Sequence, residues 1–230
     1  MTNSRKPQFK ISDEVMTITR TPNVAPRAPE GLSARPVRSS LDEEPLTRGA
    51  VLPGFKVFAD EETVIRRARG DDGAAMFDLV QETGSLDLNS PYAYLMMGHW
   101  FADSSVVAER DGEMVGFIVG FVPPRQPDTV FVWQVGVAPS EKGRGLGKKM
   151  IDALLDLPGP QGGRPRYLEA TVTPSNTASE MLFRGTAKRH EASIRISELF
   201  PGHWFPASQG GAETHEPERL FRIGPLSSAS

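Results

Sequence analysis

The chain has 230 residues, with 26 basic and 29 acidic side chains, a formal charge of −3 and no cysteine. That balance supplies no basic field for nucleic acid, and the missing thiols exclude a disulfide scaffold, a thiolate metal site and a cysteine nucleophile. Apolar runs are too short to span a bilayer and the first residues carry no basic-then-apolar leader. A cytoplasmic protein with neither membrane nor nucleic-acid partner is expected.

Residues 1–52 hold six prolines (Pro7, Pro22, Pro26, Pro29, Pro36, Pro45) among mixed charges, with no sustained helix or strand period. Such a segment cannot bury enough apolar surface to offset its chain entropy. A disordered extension is therefore expected over 1–52, one folded domain over 53–226, and a flexible tail over 227–230. In the domain a short strand is predicted at 63–67, then a helix capped near Asp71-Asp72. A second helix over 91–101 has Ser90 as cap and Pro91 as first helical residue. The run "SSVVAERDGEMVGFIVGFV" reads as two strands joined at Asp111-Gly112, a pair suited to the left-handed dihedrals of a two-residue hairpin. "TVFVWQVGV" is apolar on nearly both faces, as a central strand requires.

The stretch "VGVAPSEKGRGLGKKM" then changes character. Glycines alternate at Gly143, Gly145 and Gly147, flanked by Lys142, Arg144, Lys148 and Lys149. Gly147, Met150, Ile151, Leu154 and Leu155 fall on one helical face, and Pro158-Gly159 ends that helix. "RYLEATVTP" is a further strand, "SNTASEMLFRGTAKR" a helix capped at Ser175 or Asn176, and two late strands are predicted over 192–199 and 218–223. The order predicts one α/β (α+β) domain on a mixed, mostly antiparallel sheet.

The glycine stretch is neither a dinucleotide fingerprint nor a P-loop, because its spacing fits neither. What remains is basic-x-x-Gly-x-Gly between strand and helix, carried by Lys142, Gly145 and Gly147. Bare backbone there lets several N–H groups point at one diphosphate, with the positive end of the helix dipole behind them.

The segments "VWQVGVAP", "KGRGLG" and "TPSNTAS" together resemble the acetyl-CoA-binding core of the GNAT acetyltransferases. The resemblance implies the GNAT fold with splayed central strands, acetyl-CoA as co-substrate and no metal. It implies cofactor contacts from Val135, Gly136, Val137, Lys142, Gly143, Arg144, Gly145, Leu146, Gly147, Lys148 and Asn176, and a homodimer through the last strands. Two positions depart from the family pattern. Lys142 stands where the loop usually has Gln or Arg, which keeps the charge and loses the fork geometry. Phe183 stands where a tyrosine usually reprotonates the CoA thiolate.

Within that superfamily, "LDLNSPYAYL", "VWQV", "LEATVTPSN" and "THEPERLFRI" are similar to the diaminobutyrate N4-acetyltransferases, which acetylate L-2,4-diaminobutyrate in ectoine synthesis. The likeness spans roughly 63–225. For that acceptor, Asp87 offers a carboxylate to an ammonium, Trp133 a cation–π face, and Tyr92 a hydroxyl. His215 and Glu216 are placed to close the site. Glu169, the only acid in "RYLEATVTP", is a candidate base or relay, and the Val135 N–H a candidate oxyanion donor. With no cysteine, direct transfer in a ternary complex is expected. The substrate carboxylate has four candidate partners, Arg66, Arg67, Lys188 and Arg189. Alternatives are a GNAT enzyme for another small diamine or amino acid, and an acyl-CoA sensor with residues 1–52 as its output arm.

Overall fold

The computed structural model describes residues 63–84, 86–160, 162–206 and 215–227. The extension expected over 1–52 and tail residues 228–230 lie outside them. In chain order the elements are β1 (Val64–Arg67), α1 (Gly73–Thr83), α2 (Pro91–Trp100), β2 (Val106–Arg110), β3 (Glu113–Phe121), β4 (Thr129–Val137), α3 (Leu146–Asp156), β5 (Tyr167–Val172), α4 (Thr177–Arg189), β6 (Ile194–Phe200) and β7 (Glu218–Ile223). They build one sheet of order β1-β2-β3-β4-β5-β7-β6. Every neighbouring pair is antiparallel except β4 and β5. No helix among the described residues is long and apolar enough to cross a membrane.

Local chemistry explains most boundaries. Ser90 caps α2 by accepting a hydrogen bond from the Ala93 amide at 3.3 Å, with Pro91 in the first turn. The β2–β3 hairpin turns on Asp111 at φ 52° and Gly112 at φ 83°, the left-handed pair such a turn needs. Two boundaries differ from expectation. The helix expected at Asp71-Asp72 begins at Gly73, behind a 3-10 turn over Gly70–Asp72. The Asp72 carboxylate is spent on Arg66 and on the Arg69 amide at 2.7 Å, so it caps the turn's entry and not the helix. β6 starts two residues later than read from the sequence, because Glu191 turns the chain at φ 49°.

Each face of the sheet buries its own core. On one side α3 and α4 pack Ile151, Leu154 and Phe183 against Ile118, Leu168 and Phe221. On the other, α1 and α2 pack Met76, Leu79 and Tyr94 against Val107, Phe117 and Val119. Each fully buried large side chain contributes about 1.5–3 kcal/mol relative to exposure. The second core matters for function, because the α1–α2 connection carries Asp87. Gly73 lets those helices touch: a Cβ there would lie 2.8 Å from the Leu95 Cα and N. That neighbour is backbone and cannot step aside. Gly73→Ala is expected to cost about 1–3 kcal/mol in urea unfolding. An unchanged midpoint would show that the helices separate freely.

Candidate active site

The site starts with two strands that part. β4 pairs with β5 only from Thr129 opposite Tyr167 to Val132 opposite Ala170. The break coincides with a bulge: Val119 faces Gln134 and Gly120 faces Val132, leaving Trp133 as the extra residue. Beyond the bulge, backbone direction follows from the ladder. The Ala138 amide donates to Val115 O at 2.9 Å. In an antiparallel ladder alternate residues turn their polar groups to the partner, so Gly136 also faces β3. Val135 and Val137 therefore aim their N–H and C=O into the gap, where β5 has moved away. Buried backbone groups need partners, and an extended polar chain would supply them.

At the gap's mouth lies the glycine loop. Gly143 and Gly145 have φ of 78° and 82°, and a Cβ at either would meet nothing within 4 Å. Space is therefore not what demands glycine; the left-handed backbone is. Gly145 is the N-cap of α3, and only the Lys148 and Lys149 amides return to its carbonyl, at 3.1 and 3.2 Å. The amides of Leu146 and Gly147 have no carbonyl one turn earlier within the helix. The Leu146 side chain is buried in the core, so only its backbone belongs to the loop, while Lys142, Arg144 and Lys148 are exposed. Beneath the loop, buried Glu141 accepts from Arg110 at 2.7 Å and Arg144 at 3.3 Å, which anchors the turn to β2. Asn176 caps α4 through its Oδ1, bound by the Ser179 amide at 3.0 Å.

Across the open end of the crevice stands a group of acids. Asp87 is exposed, and its carbonyl accepts from Gln134 Nε2 at 3.0 Å. Glu218, the first residue of β7, has its carboxyl pushed above the usual range. Burial is the main cause, a Thr171 hydrogen bond and His215 oppose it, and the charges of Asp87 and Glu216 add to it. Those interactions gather Asp87, Glu216 and Glu218 around His215 and Thr171. The His215 ring stacks on Phe205 with centroids 3.8 Å apart, and Nδ1 lies 2.6 Å from Glu216 O. Glu216 Oε2 accepts from the Ser175 amide at 2.9 Å, tying this segment to the start of α4. Among the described residues no three side chains form a metal site.

The other expected residues are placed differently from one another. Trp133 is half-buried, and the ring against it is Tyr94, at 6.0 Å, while Tyr92 is 65% exposed in the first turn of α2. Glu169 is buried in the closed half, beside Phe131, and its carboxylate is ion-paired with Arg222. A relay role would have to break that pair. Phe183 is core, 6.4 Å from the Phe221 ring. Three of the four candidate carboxylate partners are already engaged: Arg67 with Asp103 at 2.6 Å, Arg189 with Asp152 at 2.8 Å, and Arg66 with Asp72 at 2.7 Å and Glu109 at 2.5 Å. Burial opposes the Arg66 charge, but hydrogen bonds and charges from Asp72 and Glu109 outweigh it and hold its pKa above the ordinary value. Glu218 and Gln134 escaped the sequence reading. The one available signal for Glu218 was its alternation with Arg219 in "ERLFRI", which becomes informative only once β5 is known as the neighbour.

The profile of the Acetyltransferase (GNAT) family matches residues 74–185. The L-2,4-diaminobutyric acid acetyltransferase of Shouchella clausii is 48% identical over 158 residues, 69% of this chain and 84% of that protein. The chain belongs to the L-2,4-diaminobutyric acid acetyltransferases of the GNAT family. The Halomonas elongata member is 41% identical over 163 residues, 70% of this chain and 81% of its own length. The structure of diaminobutyrate acetyltransferase from Paenibacillus lautus, in complex with L-2,4-diaminobutyric acid and coenzyme A, superposes with a TM-score of 0.66 at 41% identity. It covers 74% of this chain and 98% of that one. The ribosomal-protein-S18-alanine N-acetyltransferase of Escherichia coli, at 16% identity and a TM-score of 0.53, shares the fold alone. The splayed sheet and glycine loop are thus the GNAT fold expected from the sequence.

The raised Glu218 pKa has a sign that can be tested. The folded state holds that proton more tightly than the unfolded chain, so stability is lost as pH rises through the folded pKa. Glu218→Gln removes the penalty. Its stability relative to the parent is expected to grow as pH rises from the ordinary carboxyl range through the folded pKa in urea unfolding, and a gap independent of pH would contradict the assignment.

Proposed function

We propose that this chain transfers the acetyl group of acetyl-CoA to the 4-amine of L-2,4-diaminobutyrate, giving N4-acetyl-L-2,4-diaminobutyrate, the acetylation step of ectoine synthesis. The observation that carries the reading is a crevice with opposite chemistry at its two ends. Bare amides and lysines at one end suit an anionic carrier, and three acids at the other suit a diammonium acceptor. The Paenibacillus lautus relative was solved with both of these ligands.

In this reading Lys142, Gly143, Arg144, Gly145, Leu146, Gly147 and Lys148 hold the diphosphate. Val135 and Val137 pair with the carrier's amide-bearing arm, Gly136 lets the strand pack on β3, and Asn176 flanks the arm. The Val135 N–H donates to the oxyanion. Asp87, Glu216 and Glu218 bind the ammonium groups, with His215 and Tyr92 at the rim. The Trp133 face adds about 0.5–2 kcal/mol for a cation, depending on desolvation.

Chemistry then requires a neutral amine. An alkylammonium of pKa near 10.4 leaves about one molecule in 2,500 neutral at pH 7. We assign the proton to Glu218 in place of Glu169, because Glu169 is held by Arg222 while the raised pKa of Glu218 makes it the stronger base. The nitrogen lone pair adds to the thioester carbon, the oxyanion collapses, and the C–S bond breaks. The acylated nitrogen then gives up its second proton, which water relays to the departing thiolate, whose conjugate thiol has a pKa of about 8.5, since Phe183 has no proton to give. The reading also includes a cytoplasmic homodimer through β6, the sheet edge, where Phe200 is exposed and Trp204 follows.

The test is product analysis by mass spectrometry and NMR with acetyl-CoA and diaminobutyrate, ornithine, lysine or a peptide. Acetylation of the 4-nitrogen of diaminobutyrate in preference to the others is expected. Asp87→Ala and Trp133→Ala should keep coenzyme A binding in calorimetry and lose about 10- to 100-fold in kcat/KM, the scale of one charge-assisted contact. Normal turnover in both would remove these side chains from the site.

A further inference from the structure

We infer that Gln134 is a positioning residue that sets the acceptor pocket against the thioester crevice and so selects which amine reacts. The inference rests on the proposed diaminobutyrate reaction. Gln134 follows the bulge residue Trp133, and its backbone is fixed by pairing with Val119. Its side chain is used at both ends. Oε1 accepts from the Tyr94 hydroxyl at 2.9 Å, and Nε2 donates to the Asp87 carbonyl at 3.0 Å. The assignment of oxygen and nitrogen follows from chemistry, because a carbonyl only accepts and must meet the amide NH₂.

Two walls of the pocket depend on this one carboxamide. Tyr94 is fully buried and backs Trp133, with ring centroids 6.0 Å apart, so it fixes the aromatic wall. Asp87 is the acidic wall. Among the described residues no other hydrogen bond joins residues 86–89 to the sheet; the second bond to the Asp87 carbonyl comes from Asn89 in the same loop. Leu86 adds an apolar contact to the core beneath. The loop also works against a repulsion, since the Asp87 charge opposes ionisation of Glu218. Without a tether, the acids relax apart and a flexible diamine can present either nitrogen. With it, the distance from acid to thioester is set by a short chain of hydrogen bonds rooted in β4, part-buried at Tyr94 and exposed at Asp87.

Gln134→Glu is nearly isosteric. It still accepts from Tyr94 but turns a carboxylate toward the Asp87 carbonyl, where a donor is needed. Gln134→Met loses both bonds at similar volume, and Tyr94→Phe removes only the inner one. Steady-state kinetics and product NMR are the measurements. Both Gln134 variants are expected to raise KM for diaminobutyrate about tenfold, the scale of one lost hydrogen bond to a fixed group, and to increase the share of 2-acetylated product. KM for acetyl-CoA should not move. Tyr94→Phe is expected to produce a smaller change in the same direction, and to add nothing in the Gln134→Met background. The inference is overturned if these variants keep the parent's diaminobutyrate KM and product ratio, or if both KM values rise together, which is what mere loosening of the sheet would do. Failure of the functional reading is distinct: the parent enzyme itself would then not acetylate diaminobutyrate.

Discussion

The structure depends on two parallel strands ceasing to pair after four residues. β4 and β5 run together to Val132 and Ala170, and then the Trp133 bulge turns β4 away. Left so, the Val135 and Val137 peptide groups face a gap, and each unsatisfied buried group costs about 1–3 kcal/mol. A fold that retains this defect gains a slot with the hydrogen-bonding pattern of a missing strand. The glycine loop and the start of α3 lie at its mouth, so one discontinuity brings backbone donors, a helix N-terminus and a tryptophan face to a single crevice.

The two ends of the crevice carry opposite charge. Lys142, Arg144 and Lys148 project from the loop, and buried Glu141 holds the loop's base by pairing with Arg110 and Arg144. At the other end the pKa of Glu218 is raised chiefly by burial, with smaller additions from the charges of Asp87 and Glu216. Burial and the neighbouring charges penalise the ionised Glu218, and a cation offsets that penalty. In the proposed reaction the diammonium acceptor binds among these carboxylates, and Glu218, with its raised pKa, is the base that takes its proton.

Much of this was legible in the sequence wherever the cause is local. The Asp111-Gly112 hairpin, the Ser90 cap with Pro91, and the alternate glycines before a helix each act within a few residues. The resemblance to the GNAT family placed the cofactor segments together. What escaped depends on contacts across the chain. Glu169 drew attention as the lone acid of its strand, but Arg222, 53 positions away, takes its carboxylate. Glu218 looked like one more charge on a late strand until pairing of β7 with β5, Leu220 opposite Thr171, put it at the open end of the crevice. Gln134 was silent because its two hydrogen-bond partners, Tyr94 and Asp87, lie 40 and 47 positions distant.

In the proposed reaction the acyl carrier completes the sheet by bonding the outward peptide groups of β4. Amide hydrogen exchange at Val135, Gly136 and Val137, followed by NMR with and without saturating acetyl-CoA, reads those bonds out. Gly136, turned toward β3, should exchange slowly in both states, while Val135 and Val137 should slow markedly on binding. Unchanged exchange at Val135 and Val137 under saturation would mean that the carrier lies elsewhere.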